Sequence, residues 1–206
     1  MTTIDSSTDI VSIEEKYHRA FSIAETHLKS AEYFIQIGTI EGEILIPAIN
    51  ELRYAGYHAA CAIAPSLSEA EKIEAYNKAI AHCERANYDS LDALFCYHIK
   101  ECKIFKDDYK LVVVSNVIPN YIDQSRCIEN IIKECKQQKD KKSRFQCIEK
   151  HISIIADISE QWSNSREELN KILRKTKKEL LNMLLNKISL IVAIITFIIL
   201  LINFFC

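Results

Sequence analysis

The chain has 206 residues, 49% of them apolar and 26% charged, with 26 basic against 28 acidic side chains and a formal net charge of −2. That length suits one domain or two small ones. The balanced charge argues against a general nucleic-acid binder, which carries a basic excess. Three glycines and three prolines are too few to punctuate an all-β fold, and the composition excludes disordered and collagen-like chains.

From the N-terminus, Ile13, Tyr17, Ala20, Phe21, Ala24, Leu28, Ala31 and Phe34 recur with helical period over 11–37, and Gly38 closes that helix. A second helix begins near Pro47, or at Thr39 with Pro47 as a kink, and runs to about Ala64. Pro65 and Ser66 mark a turn. Ser66-Leu67-Ser68-Glu69 reads as a capping box, so a third helix starts there and extends toward Cys102 or Phe105. Leu111 to Val114 is β-branched, but a lone strand has no partner. A short helix ending before Pro119 is the better expectation. Further helices are expected over 121–137 and from about Arg144 to Trp162, with the run Gln137 to Ser143 as a solvated connection. Ser165-Arg166-Glu167-Glu168 is a second capping box, and no breaker follows it before Cys206.

The last nineteen residues, 188–206, carry no charge. At about 1.5 Å per residue they reach roughly 28 Å, close to the hydrocarbon thickness of a bilayer. The expected fold is all-α: an antiparallel helical bundle with a long C-terminal helix that continues into a single transmembrane helix. Residues 1–163 form the helical bundle domain, 164–187 a basic juxtamembrane stalk helix and 188–206 the anchor of a tail-anchored, single-pass protein. Lys171, Arg174, Lys175, Lys177, Lys178 and Lys187 crowd the near side of the span, which predicts a cytoplasmic N-terminal domain and contact with lipid headgroups. Asn182, Ser189, Thr196 and Asn203 are spaced seven apart along stalk and span. Such a stripe suits a self-associating face, or hydroxyls bonded back to their own helix.

Eight cysteines occur, none in a C-x-x-C pair, and no secretory signal precedes them. They read as reduced, small apolar residues of a cytosolic domain. No cofactor and no metal is expected, a site dispersed over the fold being the alternative.

The second and third helices are rich in small residues, including Ala55, Ala59, Ala62, Ala75, Ala79, Cys83 and Ala86. They predict close antiparallel packing in which facing residue numbers sum to about 134. That register brings Glu51, Arg53, Tyr54, His58, His82, Arg85 and Asp89 into one polar cluster. Such a cluster suits acid–base chemistry or anion binding, or a structural ion-pair network.

Arg53-Tyr54-Ala55-Gly56-Tyr57-His58 is an R-x4-H hexapeptide. It resembles the signature of HEPN domains, all-helical modules that often dimerise and cut RNA. The resemblance implies Arg53 and His58 as a catalytic pair contributed by two protomers. No other catalytic motif is present. The architecture predicts a membrane effector whose helical domain senses a partner or small signalling ligand and drives oligomerisation of the span, disrupting a membrane in the manner of toxin or phage-defence systems. A membrane-tethered HEPN-like ribonuclease, acting on nucleic acid, and a non-enzymatic adaptor that recruits a protein partner are the alternatives.

Overall fold

A computed structural model describes residues 6–37 and 45–205, with side-chain surroundings given for 10–34, 36 and 45–199. Among the described residues there are six α-helices: α1 Ser6–Ile37, α2 Ile46–Ala62, α3 Glu69–Asp108, α4 Tyr121–Gln137, α5 Lys141–Asn164 and α6 Arg166–Phe205. A short 3-10 turn, Val114–Asn116, stands where a short helix was expected, and no strand occurs among the described residues. The chain is all-α, as its sparse glycine and proline imply. The earlier start considered for the second helix, at Thr39, lies outside the described residues.

Two helix starts differ from expectation and a third lacks its expected cap, each for a local reason. The box at α3 is Ser68 with Glu71: the Ser68 backbone N–H and hydroxyl donate to Glu71 Oε2 at 2.8 and 2.7 Å, and Glu71 N–H returns to Ser68 Oγ at 3.4 Å. Ser66 is instead consumed by a turn in which Leu67 N–H donates to Ala64 carbonyl. α5 starts at Lys141 rather than Arg144 because Asp140, inside the charged run, caps it through the Ser143 N–H and hydroxyl at 2.8 and 2.7 Å. At α6 no box forms. The Ser165 hydroxyl donates backward to Gln161 carbonyl at 3.0 Å, so α6 follows α5 after a one-residue break.

The contacts divide the chain into two units, 1–101 with 127–159 and 102–126 with 160–206. In the first, Leu91, Phe95, Ile131, Cys135, Cys147, Ile148 and Ile155 make a buried cluster from α3, α4 and α5. A second, built from small side chains, joins Ala24, Ala55, Cys83 and Ala86 of α1, α2 and α3. All four are fully buried, as the small-residue pattern of the second and third helices anticipated.

In the second unit, Trp162 is 1% exposed, and its ring lies 5.0 Å from Phe105 and 4.9 Å from Tyr121. Its indole N–H donates to Gln124 Oε1 at 2.9 Å, which removes the cost of burying that donor. The base of α6 is held beside this cluster. Tyr109 hydroxyl donates to Asn170 Oδ1 at 3.0 Å, Arg166 donates to Asp108 at 2.7 Å, and Leu169 is fully buried. Beyond Leu169 the helix emerges and runs unbroken to Phe205. Its 40 residues span about 60 Å. The expected stalk and span are therefore one continuous helix.

Candidate functional site

Among the described residues one helix, α6, is long and apolar enough to cross a membrane, and none of its apolar window is buried. Leu190, Ile191, Val192, Ile194, Ile195, Phe197, Ile198 and Ile199 are each about half exposed. Apolar exposure also begins earlier than the uncharged stretch, since Leu180, Leu181, Met183, Leu184 and Leu185 stand open as well. Of the basic residues before the span, Lys171 pairs with Glu167 one turn back at 2.8 Å. Arg174, Lys175, Lys177, Lys178 and Lys187 are exposed. In the polar stripe, Thr196 hydroxyl donates to its own Val192 carbonyl at 2.9 Å, while Asn182 and Ser189 are exposed. The Asn203 side chain lies outside the described residues.

The second site sits on α2 and α3. The antiparallel register brings Glu51 against both His82 and Arg85. Glu51 Oε2 lies 2.7 Å from His82 Nδ1 and accepts from Arg85 Nε at 2.7 Å. Arg85 Nη2 is also 2.7 Å from His82 Nδ1. One imidazole nitrogen has either a proton or a lone pair, so it serves only one of these neighbours at a time. Protonated, Nδ1 donates to Glu51. Unprotonated, it accepts from Arg85. Which of the two arrangements holds is set by the tautomer of the ring.

The other predicted members are arranged around this core. His58 stacks on His82 with ring centroids 5.2 Å apart and planes 15° from parallel. Burial, then the nearby His82 and Lys78, push the His58 imidazole below its ordinary value. Tyr54 lies 5.4 Å from the His82 ring. Arg53 is exposed and covers the Tyr54 ring at 5.1 Å. Five residues on an α-helix turn through about 140°, so Arg53 and His58 of one chain point to different sides. Asp89 does not join the cluster. It pairs with Lys141 of α5 at 2.7 Å and helps line a cavity of about 90 Å³ with Tyr88, Asp92 and Arg144. The register argument treated α2 and α3 alone, and α5 is the element that takes Asp89 away.

Glu51 is the hinge of the network. Burial alone would raise its carboxyl, but hydrogen bonds and charge from Arg85 and His82 outweigh that and hold it below the ordinary 4.5. Its contribution to stability is therefore complete above pH about 4.5 and is lost as pH falls through the lower folded value. Glu51→Gln is expected to cost about 1 kcal/mol at pH 7 and to remove that part of the acid sensitivity, read by thermal unfolding at pH 7 and pH 4. An unchanged melting temperature at pH 7 would show that the network carries no stability.

Three features had no motif to announce them. A groove of about 400 Å³ between α1, α3 and α5 is lined by Lys16, Arg19, Glu84, Asn87, Tyr88 and Phe145, among others. His98 is 3% exposed with neither ring nitrogen hydrogen-bonded. Glu134, Cys147 and His151 bring three possible metal ligands together between α4 and α5. The groove and the ligand cluster need more than one helix to assemble, and the burial of His98 depends on a neighbouring helix, so no local motif reveals them.

No protein-family model matches the chain, and no solved structure matches it. The chain is 34% identical over 95 residues to a probable E3 ubiquitin-protein ligase of Dictyostelium discoideum. That similarity takes in 44% of this chain and spans 2% of the ligase's length.

Proposed function

We propose that this protein is a single-pass membrane effector whose helical domain faces the cytoplasm, senses a signal or partner, and drives association of its transmembrane helix. The supporting observation is α6 itself, one unbroken helix from a buried base at Leu169 to Phe205. A shift or rotation imposed at that base passes into the span without a flexible joint to absorb it. The exposed apolar side chains from Leu180 to Leu185, ahead of Lys187, favour association further. Lipid would cover them only if Lys187 snorkelled past them, whereas neighbouring copies of α6 cover them directly. Asn182, Ser189, Thr196 and Asn203 then supply the polar contacts between copies, each worth under about 2 kcal/mol in lipid. Permeabilising or depolarising the membrane is the consequence of such an assembly.

The test is inducible expression in bacteria with a dye that reports membrane potential. Full-length chain should depolarise the cells, deletion of 188–206 should abolish the effect, and His58→Ala should leave it intact. Toxicity that survives the deletion but not His58→Ala would overturn this reading in favour of a HEPN-like ribonuclease.

A further inference from the structure

Glu134 on α4 faces Cys147 and His151 on α5, and a ligand atom from each lies within 4.8 Å of the other two. Cys147 and His151 are four residues apart on one helix, so they share a face. The cluster lies at the edge of the buried core, where Cys147 is 7% and the His151 side chain 12% exposed. His151 Nε2 is 3.1 Å from Glu134 Oε2, while His151 Nδ1 is buried with no hydrogen-bond partner. The imidazole is thus buried with only one of its two ring nitrogens satisfied, at the carboxylate beside the thiol, and an ion held there would take a ring nitrogen as its ligand. Lys150 approaches the other carboxylate oxygen, Glu134 Oε1, at 3.3 Å. It therefore orients the carboxylate and leaves Oε2 directed at the cluster.

We propose that Glu134, Cys147 and His151 bind a divalent transition-metal ion, zinc foremost, between α4 and α5. The donor set is a thiolate, an imidazole and a carboxylate, a combination that suits zinc and is poorly matched to magnesium or calcium. One thiolate and one carboxylate neutralise the ion's two charges, so its burial leaves no net charge at the ligands. Atoms bound to one tetrahedral zinc stand roughly 3.3 to 3.8 Å apart. The cluster reaches that spacing by rotation of side chains, with both helices in place. Three protein ligands leave one position for water or for a neighbouring group. The Cys135 thiol is the nearest such group, 2.6 Å from Cys147 Sγ. The site would add a metal cross-link to two helices already joined by a three-residue connection, Gln138 to Asp140, the apolar cluster and the ion pairs of Glu134.

The experiment uses the full chain in detergent, reduced, stripped of metal and titrated with Co²⁺. One ion should bind per chain, with a thiolate-to-cobalt charge-transfer band that Zn²⁺ removes by displacement. Cys147→Ser should abolish the band. Glu134→Gln changes a partly exposed side chain without emptying the core, and should weaken Co²⁺ binding by more than the roughly 10–100-fold that loss of an outer-shell partner costs. Cys96→Ser, at an exposed thiol, should leave binding unchanged. The proposal is overturned if wild type shows no charge-transfer band, if the band survives Cys147→Ser, or if Glu134→Gln binds Co²⁺ as wild type does. It is also overturned if chain purified without reductant carries a Cys135–Cys147 disulfide and no metal.

Discussion

Two arginines in the middle of the C-terminal helix, Ile195→Arg with Ile198→Arg, should release the chain from membranes, whereas Ile195→Arg alone should not. Residues 188–206 contain 14 Leu, Ile, Phe and Val residues. At about −0.3 to −0.6 kcal/mol each they favour insertion by roughly 6 kcal/mol. An arginine near the centre costs about 2.5–3.5 kcal/mol, and the isoleucine it replaces is lost as well. One substitution therefore leaves a net preference for the bilayer, and two bring it to about zero. The measurement is alkaline extraction of cell membranes followed by sedimentation. Wild type and the single variant should pellet, and the double variant should move to the supernatant. Wild type in the supernatant would mean that these exposed side chains are covered by protein. A soluble chain otherwise rarely leaves so large an apolar surface uncovered.

This helix was legible in the sequence because its signal is local: nineteen uncharged residues, a basic flank and no breaker. The helical class was legible for the same reason, and 121–137 agrees with the bounds of α4. The register of α2 on α3 could also be counted outward from one turn, which is why Glu51 meets His82 and Arg85. Legibility stops where a third element decides. Asp89 lies on the expected side of α3, yet Lys141 comes from 52 residues downstream to claim it. Two overlapping S-x-x-E boxes, at Ser66 and Ser68, look alike as patterns, and only the turn at Ala64 selects between them. Asp140 looked like part of a solvated run because a capping carboxylate and a surface carboxylate have the same letter. His98 is the sharpest case. Its neighbours in sequence include Lys100 and Glu101, which suggest solvent, but α3 turns that face against Phe34 of α1.

His98 carries the other large effect. Its ring lies 4.9 Å from Phe34 and 5.1 Å from Tyr97, both edge-on, with neither nitrogen hydrogen-bonded. Burial pushes the imidazole down from 6.5 to about 4. The native state therefore holds this histidine neutral, while the unfolded chain binds a proton below pH 6.5. Between those values the unfolded state carries more protons, so stability is complete above pH 6.5 and drains away as pH falls toward 4. A difference of that size corresponds to about 3 kcal/mol. The carboxylates of Glu51, Glu134 and Asp140 are all held below their ordinary values. Their contributions fade only below about pH 4.5, so the interval from 6.5 to 4.5 belongs to the histidines: chiefly His98, with His58, also held below its ordinary value, adding to it. His98→Leu should remove most of the fall in thermal stability across that interval. It should also leave stability at pH 7 equal or higher, because two unsatisfied ring nitrogens leave the core. Circular dichroism melts of wild type and variant at pH 7, 6, 5 and 4.5 give the comparison. If His98→Leu keeps the wild-type slope, another group titrates there and the buried imidazole is already paired.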